Sequence, residues 1–235
     1  MLGLQAAKAA PAPSGRPSPA ATEYELMLAR LGVDLRRLKE IQSVEKKIEL
    51  KRELLPAYLP WIEGVLAAGD DAAGNQDDVF VQCMVWTIDI GAWDQAILMA
   101  HYVIAHDLTM PERFDRTAAC FVAEETADAA LKAFGQDEGF DLSVLLAVDQ
   151  LVDRADIFDE VRAKLEKAIG MAVARDAGAM EDGADGPAGM KKAATASALA
   201  RLKRALELDD GCGVKTMIAK LERQVAKGDG STTET

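Results

Sequence analysis

Apolar side chains near the N-terminus follow the alternating three- and four-residue spacing of one face of an α-helix. The spacing continues after a three-residue skip through Val44 and Ile48 and stops before Pro56 and Pro60. Because proline lacks an amide donor and clashes with the preceding turn, we predict one long helix over residues 23–55. Its apolar face, here called the N-terminal seam, comprises Tyr24, Leu28, Leu31, Leu35, Leu38 and Ile41.

A second interpretation divides this segment into two helices. Glycine costs about 1 kcal/mol relative to alanine inside a helix, and a turn at Gly32 and Val33 would let Asp34 cap a second helix. We favour the single helix.

The rest of the chain shows the periodicity of shorter helices. They are predicted near residues 61–68, 78–90, 93–105, 119–134, 142–154, 157–175, 191–208 and 214–227. Asp77 is expected to cap the second of them. No segment alternates like a strand. We predict an all-α fold, a long N-terminal helix followed by antiparallel helical hairpins. Residues 91–97 and 198–209 resemble parts of tetratricopeptide helix pairs, so the hairpins are loosely tetratricopeptide-like.

Composition predicts the domain organisation. Residues 1–22 are rich in Ala, Pro and Ser without the apolar region of a secretory signal, which predicts a disordered arm. No apolar run approaches the roughly 18 residues of a membrane span. The predicted parts are an arm at 1–22, an N-terminal helical segment at 23–55, a helical core at 56–175, a linker at 176–190, a C-terminal hairpin at 191–227 and a disordered tail at 228–235.

The formal net charge of −12 is unevenly distributed. Residues 1–60 carry ten Lys/Arg against seven Asp/Glu, a net of +3, and residues 191–235 carry nine against six, again +3. Residues 61–190 carry eight against 26, a net of −18. If the ligand is DNA, its phosphates repel the middle of the chain, so the contacts belong to the two ends.

Three cysteines, Cys83, Cys120 and Cys212, lie far apart, and the first two stand in apolar helical context. An odd number without ligand spacing disfavours a disulfide framework and a zinc site. We expect buried thiols in a reducing compartment, the cytosol.

A set of cations clusters on the predicted N-terminal helix. At 100° per residue these side chains share an arc of about 140°. Such an arc fits the sugar-phosphate backbone of DNA, which a protein can follow without reading sequence. The other interpretation is a solvated helix face. The set, here called the N-terminal cations, comprises Arg36, Lys39, Lys46, Lys47 and Lys51.

Carboxylates that could hold a catalytic metal show no convergent pattern. Neighbouring Glu124 and Glu125 point about 100° apart on a helix, so they cannot share one ion without distortion. Capping and solubility explain the acidic residues better, so no catalytic residue and no metal ligand is assigned. The candidates are Asp70, Asp71, Asp77, Asp78, Glu124 and Glu125.

Five sequence landmarks point to a family. They are residues 51–61 (KRELLPAYLPW), 76–78 (QDD), 85–91 (VWTIDIG), 108–117 (LTMPERFDRT) and 124–125 (EE). In this order they resemble the small terminase subunit of Peduovirus-type tailed bacteriophages, often labelled the terminase endonuclease subunit. The resemblance extends from about Tyr24 to about Lys227.

The resemblance implies a protein that binds double-stranded viral DNA at the packaging site and presents it to the large terminase ATPase subunit. It implies a homo-oligomer, since small terminases generally act as ring-like assemblies, and we expect self-association through the N-terminal seam. It also implies action in the host cytoplasm, transiently at the procapsid portal, without a cofactor or a membrane. Some members are expected to carry a Lys/Arg-rich tail, which this chain, ending GDGSTTET, does not match; no DNA role is carried over to its tail.

Two alternatives stay open. The family label suggests an intrinsic metal-dependent DNA endonuclease, which would need Mg²⁺. The acidic net charge suggests instead a helical-hairpin adaptor without DNA contact.

Overall fold

The computed structural model describes residues 19–69, 75–180 and 189–230. These ranges contain helices and no strand, so the predicted all-α class is confirmed. The helices are α1 (Pro19–Glu40), α2 (Val44–Leu54), α3 (Leu59–Ala68), α4 (Asp78–Asp89), α5 (Trp93–Ala105), α6 (Ala118–Gly135), α7 (Leu142–Leu151), α8 (Asp159–Ala179), α9 (Met190–Leu208) and α10 (Lys215–Gly230), with a 3₁₀ helix at Leu55–Tyr58. None of the described helices combines the length and apolar character that crossing a membrane requires.

The chain divides into two compact units, residues 1–42 and 43–235. The long N-terminal helix exists as α1, but its predicted continuation to residue 55 is wrong. The helix stops at Glu40, and Ser43 begins α2 by accepting a hydrogen bond from the Lys46 amide at 3.4 Å. A serine side chain offers the backbone this cap in place of a continuing helix. The break falls where the apolar spacing skips.

The alternative division at Gly32 is also wrong, because Gly32 lies inside α1. Asp34 does not cap a helix there. Its carboxylate pairs with Arg37 at 3.1 Å and with Arg30 at 4.0 Å, one turn away on either side. Such pairs stabilise a helix internally, which explains how α1 continues through the glycine.

The core of the second unit surrounds α4. Residues 79–88 are all buried, so this helix is covered on every side. The ring of Tyr58 meets that of Trp86 edge-on, with centroids 5.6 Å apart, and Ile62 of α3 is fully buried. Cys83 and Cys120 are buried free thiols, as predicted.

The C-terminal half is a set of packed helices in which α8 and α9 make the most extensive contact. A Cβ atom added to Gly170 would lie 2.8 Å from Leu202, so glycine is needed for this close approach. The hairpin of α9 and α10 closes over its own apolar core, which comprises Ala198, Leu202, Val214, Ile218 and Leu221.

Several predicted boundaries shift. Helix α1 begins at Pro19 and not at 23, α8 extends to Ala179 into the predicted linker, and α10 extends to Gly230 into the predicted tail. The remainder of the predicted arm, linker and tail, at residues 1–18, 181–188 and 231–235, lies outside the described residues.

Candidate functional site

The N-terminal cations do not lie on one helix. Arg36 and Lys39 belong to α1, in the first compact unit, whereas Lys46, Lys47 and Lys51 belong to α2, in the second. The prediction that all five share one helical arc is therefore wrong, because a 100° projection holds only within an unbroken helix.

Lys51 has an intramolecular partner. Its ammonium lies 2.5 Å from an oxygen of Asp89 at the end of α4, and its side chain is only 15% exposed. The adjacent Arg52 donates a hydrogen bond to the carbonyl oxygen of Ile90 at 3.3 Å. Both residues hold α2 against the end of α4, so the tertiary structure uses the Lys51 charge internally.

The other four N-terminal cations are more accessible. Arg36, Lys39 and Lys46 are exposed and Lys47 is half-buried, and none of the four forms an ion pair with a described residue. Their long side chains are available to an external anion.

The N-terminal seam is partly covered within a single copy of the chain. Leu31 and Leu38 are 5% and 6% exposed. The other four seam residues are half-buried: Tyr24, Leu28, Leu35 and Ile41. These four keep apolar surface that a second copy could cover.

Asp77 caps α4, as predicted. Its carboxylate accepts hydrogen bonds from the Phe80 amide at 2.8 Å and from the Trp61 indole at 2.9 Å. Burial raises the pKa of Asp77, and the hydrogen bonds from Phe80 and Trp61 act against that shift. The carboxylate is thus a structural acceptor. Asp70 and Asp71 lie outside the described residues.

The neighbours Glu124 and Glu125 differ in their direct contacts. Glu124 pairs with Arg116 and, at 3.0 Å, with Lys164, which also contacts Asp128 at 3.1 Å. The pKa of Glu125 is raised, first by burial and then by the negative charges of Asp89 and Asp128. Arg116 and Lys164 act in the opposite direction on the pKa of Glu125, so the two neighbouring carboxylates feel the same two cations.

Residues of different sequence landmarks contact one another in the folded chain. Gln76 uses both ends of its amide on the backbone of Thr109, donating to the carbonyl at 3.1 Å and accepting from the amide at 2.9 Å. Arg113 donates to the buried Gln82 at 2.7 Å. Burial lowers the pKa of Arg113, against the attraction of Asp89.

The Lys51–Asp89 and Arg113–Gln82 pairs lie in one electrostatic neighbourhood, since the charge of Asp89 acts on both Arg113 and Glu125. The direct contacts hold α4 to α2 and to the 106–117 connection. Among the described residues, no group of three or more His, Cys, Asp or Glu side chains is placed to hold a metal ion.

Sequence reasoning missed Asp89, Arg113 and Lys164 as members of these networks. Asp89 and Arg113 stand inside the landmarks VWTIDIG and LTMPERFDRT, which was the available signal. Lys164 stands in no landmark, and its contact with Glu124 spans 40 residues of sequence.

Comparison with known proteins identifies a matching family and two relatives. A family model described as the phage small terminase subunit matches residues 28–160. The "Terminase, endonuclease subunit" of Escherichia phage P2 is 42% identical over 205 residues, 87% of this chain and 75% of the relative. The "Probable terminase, endonuclease subunit" of Haemophilus phage HP1 is 24% identical over 200 residues, 84% of this chain and 69% of the relative. No solved structure matches significantly.

Proposed function

We propose that this chain, which belongs to the phage small terminase subunit family, binds duplex DNA at the packaging site and presents it to the large ATPase subunit. Membership of the family gives the chain a role in phage DNA packaging. The DNA contact and the cooperation with the large subunit are the proposed part.

One observation carries the DNA-binding proposal: accessible cations lie in the N-terminal segment, which is separate in sequence from the acidic middle of the chain. Residues 75–180 hold eight Lys/Arg against 20 Asp/Glu, a net of −12. Arg36, Lys39 and Lys46 are exposed and have no ion pair with a described residue. Cations of this kind release counterions when they meet phosphate, which supplies sequence-independent affinity for DNA. We exclude Lys51 from the contact because Asp89 already neutralises it.

We propose that self-association is part of the same function. An oligomer of weakly binding copies binds a packaging site more tightly than one copy does. After the first copy has bound, the DNA contacts of the remaining copies form within the same complex. The half-buried part of the N-terminal seam is where we place this contact. We further propose that the protein acts in the host cytoplasm and, during packaging, at the procapsid portal.

An electrophoretic shift assay tests the DNA-binding proposal. The wild-type chain is titrated into a duplex fragment carrying the packaging site and, in parallel, into a duplex of scrambled sequence, at about 50 and 200 mM salt. We expect binding at the lower salt and a steep loss at the higher salt. A wild-type chain that shifts neither duplex at low salt contradicts DNA binding and favours the adaptor alternative.

Intrinsic DNA cleavage is a second candidate function, favoured by the names of both relatives. It would require Mg²⁺ held by carboxylates. We predict that the isolated chain does not nick plasmid DNA with Mg²⁺, because Asp77 serves as a cap and Glu124 is held by two cations. Nicking that disappears in D77A or E124A would establish the second function instead.

A further inference from the structure

Within the described residues, the two basic ends of the chain differ in net charge. The described N-terminal residues 19–42 carry four Lys/Arg and four Asp/Glu, and residues 43–69 again carry four of each. Residues 189–230 carry nine Lys/Arg against five Asp/Glu, a net of +4. Of the described ranges, the hairpin of α9 and α10 is therefore the one with a clear excess of positive charge.

Several cations of α9 are already engaged. Arg201 lies 2.9 Å from Asp149 and about as close to Glu166, which ties α9 to α7 and α8. Lys203 pairs with Glu222 of α10 at 2.8 Å. Arg204 pairs with Glu207 at 3.1 Å. The Lys203–Glu222 pair joins the two helices of the hairpin, and the other pairs engage Arg201 and Arg204 on α9.

Helix α10 carries three cations on one face. At 100° per residue, Lys215, Lys220 and Arg223 lie within an arc of about 140°. All three are exposed, and none forms an ion pair with a described residue. Ile218 and Leu221 point the other way, into the hairpin core. The cationic face is thus held outward by the burial of the apolar face.

The spacing of these cations suits a nucleic acid backbone. With a rise of 1.5 Å per residue, the three side chains are spread over about 12 Å of helix axis. Duplex DNA carries one charge per about 1.7 Å of its axis, so a phosphate lies within reach of each cation. Thr216 and Ala219 lie between the cations on the same face and are small, which lets the backbone approach.

We propose that the outward face of α10, formed by Lys215, Lys220 and Arg223, is a second DNA-contacting surface that binds phosphates without reading sequence. This inference rests on the proposed DNA-binding function and adds a surface at the opposite end of the chain from the N-terminal cations. Contacts through both ends of the sequence match the distribution of charge along the chain.

A matched pair of double charge reversals tests the proposal. K220E/R223E alters α10, and K132E/R154E makes the same change in net charge at two exposed positions of the acidic region. We expect K220E/R223E to weaken binding of a duplex of scrambled sequence at least tenfold at about 50 mM salt, and the control to weaken it far less. Circular dichroism checks that both variants keep the wild-type helix content.

A variant in which the three cations are replaced by uncharged glutamine gives an independent test. K215Q/K220Q/R223Q removes three contacts without adding repulsion, so the slope of log affinity against log salt should flatten by about 2.7. An unchanged slope overturns the inference. Equal weakening by the two double reversals also overturns it, since net charge alone would then govern binding.

Two further outcomes distinguish a failure of the proposed α10 surface from a failure of the proposed DNA binding. If wild type binds DNA and K220E/R223E binds equally well, the α10 surface is refuted while DNA binding stands. If wild type does not bind, the proposed function itself fails. A lower mass of K220E/R223E by light scattering, with DNA affinity per subunit unchanged, would overturn the proposal by assigning this face to a contact between copies.

Discussion

The Lys51 ammonium lies 2.5 Å from a carboxylate oxygen of Asp89, joining two sequence landmarks that are 38 residues apart. The Lys51 side chain is 15% exposed and that of Asp89 is 31% exposed, so the pair is largely shielded from water. Removing one partner leaves the other charge in this shielded position. The contact gives Lys51 and Asp89 a structural role in joining α2 to α4.

A double-mutant cycle measures this pair. K51M and D89N should each lower the free energy of unfolding by about 1–3 kcal/mol, because each leaves a partly buried charge without its partner. K51M/D89N should cost less than the sum of the two. Chemical denaturation supplies the values. K47M, at a half-buried position without an ion pair to a described residue, is the control and should change stability by about 0.5 kcal/mol or less. Additive single effects would contradict the coupling.

The remaining N-terminal cations should contribute to DNA affinity. The triple reversal R36E/K39E/K46E is expected to weaken duplex binding strongly, because it replaces phosphate contacts by repulsion. The neutral K39Q should flatten the salt slope by about 0.9 and weaken all duplex sequences alike. Fluorescence anisotropy at several salt concentrations measures both quantities. If the triple variant binds DNA normally, these residues are only solvated surface and do not contact DNA.

Self-association should depend on the half-buried part of the N-terminal seam. L28D/L35D places two charges where a second copy would exclude water, at a cost of several kcal/mol, so its mass by light scattering should fall while its helicity persists. L26D/V33D is the matched control on the exposed side of the same helix, where Leu26 is 66% and Val33 48% exposed. If the mass falls only in the control, the interface lies on the side of Leu26 and Val33.

The close approach of α8 and α9 should require glycine at position 170. G170A places a methyl group 2.8 Å from the buried Leu202 and 3.2 Å from the Ala198 carbonyl oxygen. We expect a loss of about 1–3 kcal/mol, since the crowded core must shift. G64A has no heavy atom within 4 Å of the new methyl and should stabilise α3 by up to about 1 kcal/mol. Thermal unfolding compares the two, and equal effects would contradict the packing.

Glu125 should make stability fall as pH rises. Its pKa is raised above the ordinary value of 4.5, so above that pH the folded chain retains a proton that the unfolded chain releases. Raising the pH then favours unfolding until the folded-state carboxyl has also ionised. E125Q removes this effect.

Thermal melts over a range of pH test the Glu125 prediction. E125Q should have a higher Tm than wild type at pH 7, and the difference should shrink as the pH falls towards 4.5. E63Q, at an exposed position of α3, controls for the loss of one carboxylate. A lower Tm for E125Q at pH 7 would mean that attraction to Arg116 and Lys164 exceeds the cost of burial.

The amino-acid sequence by itself determined the helical class, most helix boundaries and the Asp77 cap. These features depend on residues within one or two turns of each other: apolar spacing, a side chain that accepts a nearby amide, or a proline without a donor. The landmarks also sufficed to identify the family, because a rare order of residues needs no geometry to be recognised.

Only the tertiary structure decided which charges are available to a partner. The sequence placed Lys51 among the DNA-contacting cations, but Asp89, 38 residues away, neutralises it. The cap at Ser43 ended the continuous helix on which the five-cation arc depended. Conversely, Lys215, Lys220 and Arg223 look like ordinary surface residues until the hairpin core orients α10. The availability of a charge is set by the residue that packs beside it, and partners distant in sequence are brought together only by folding.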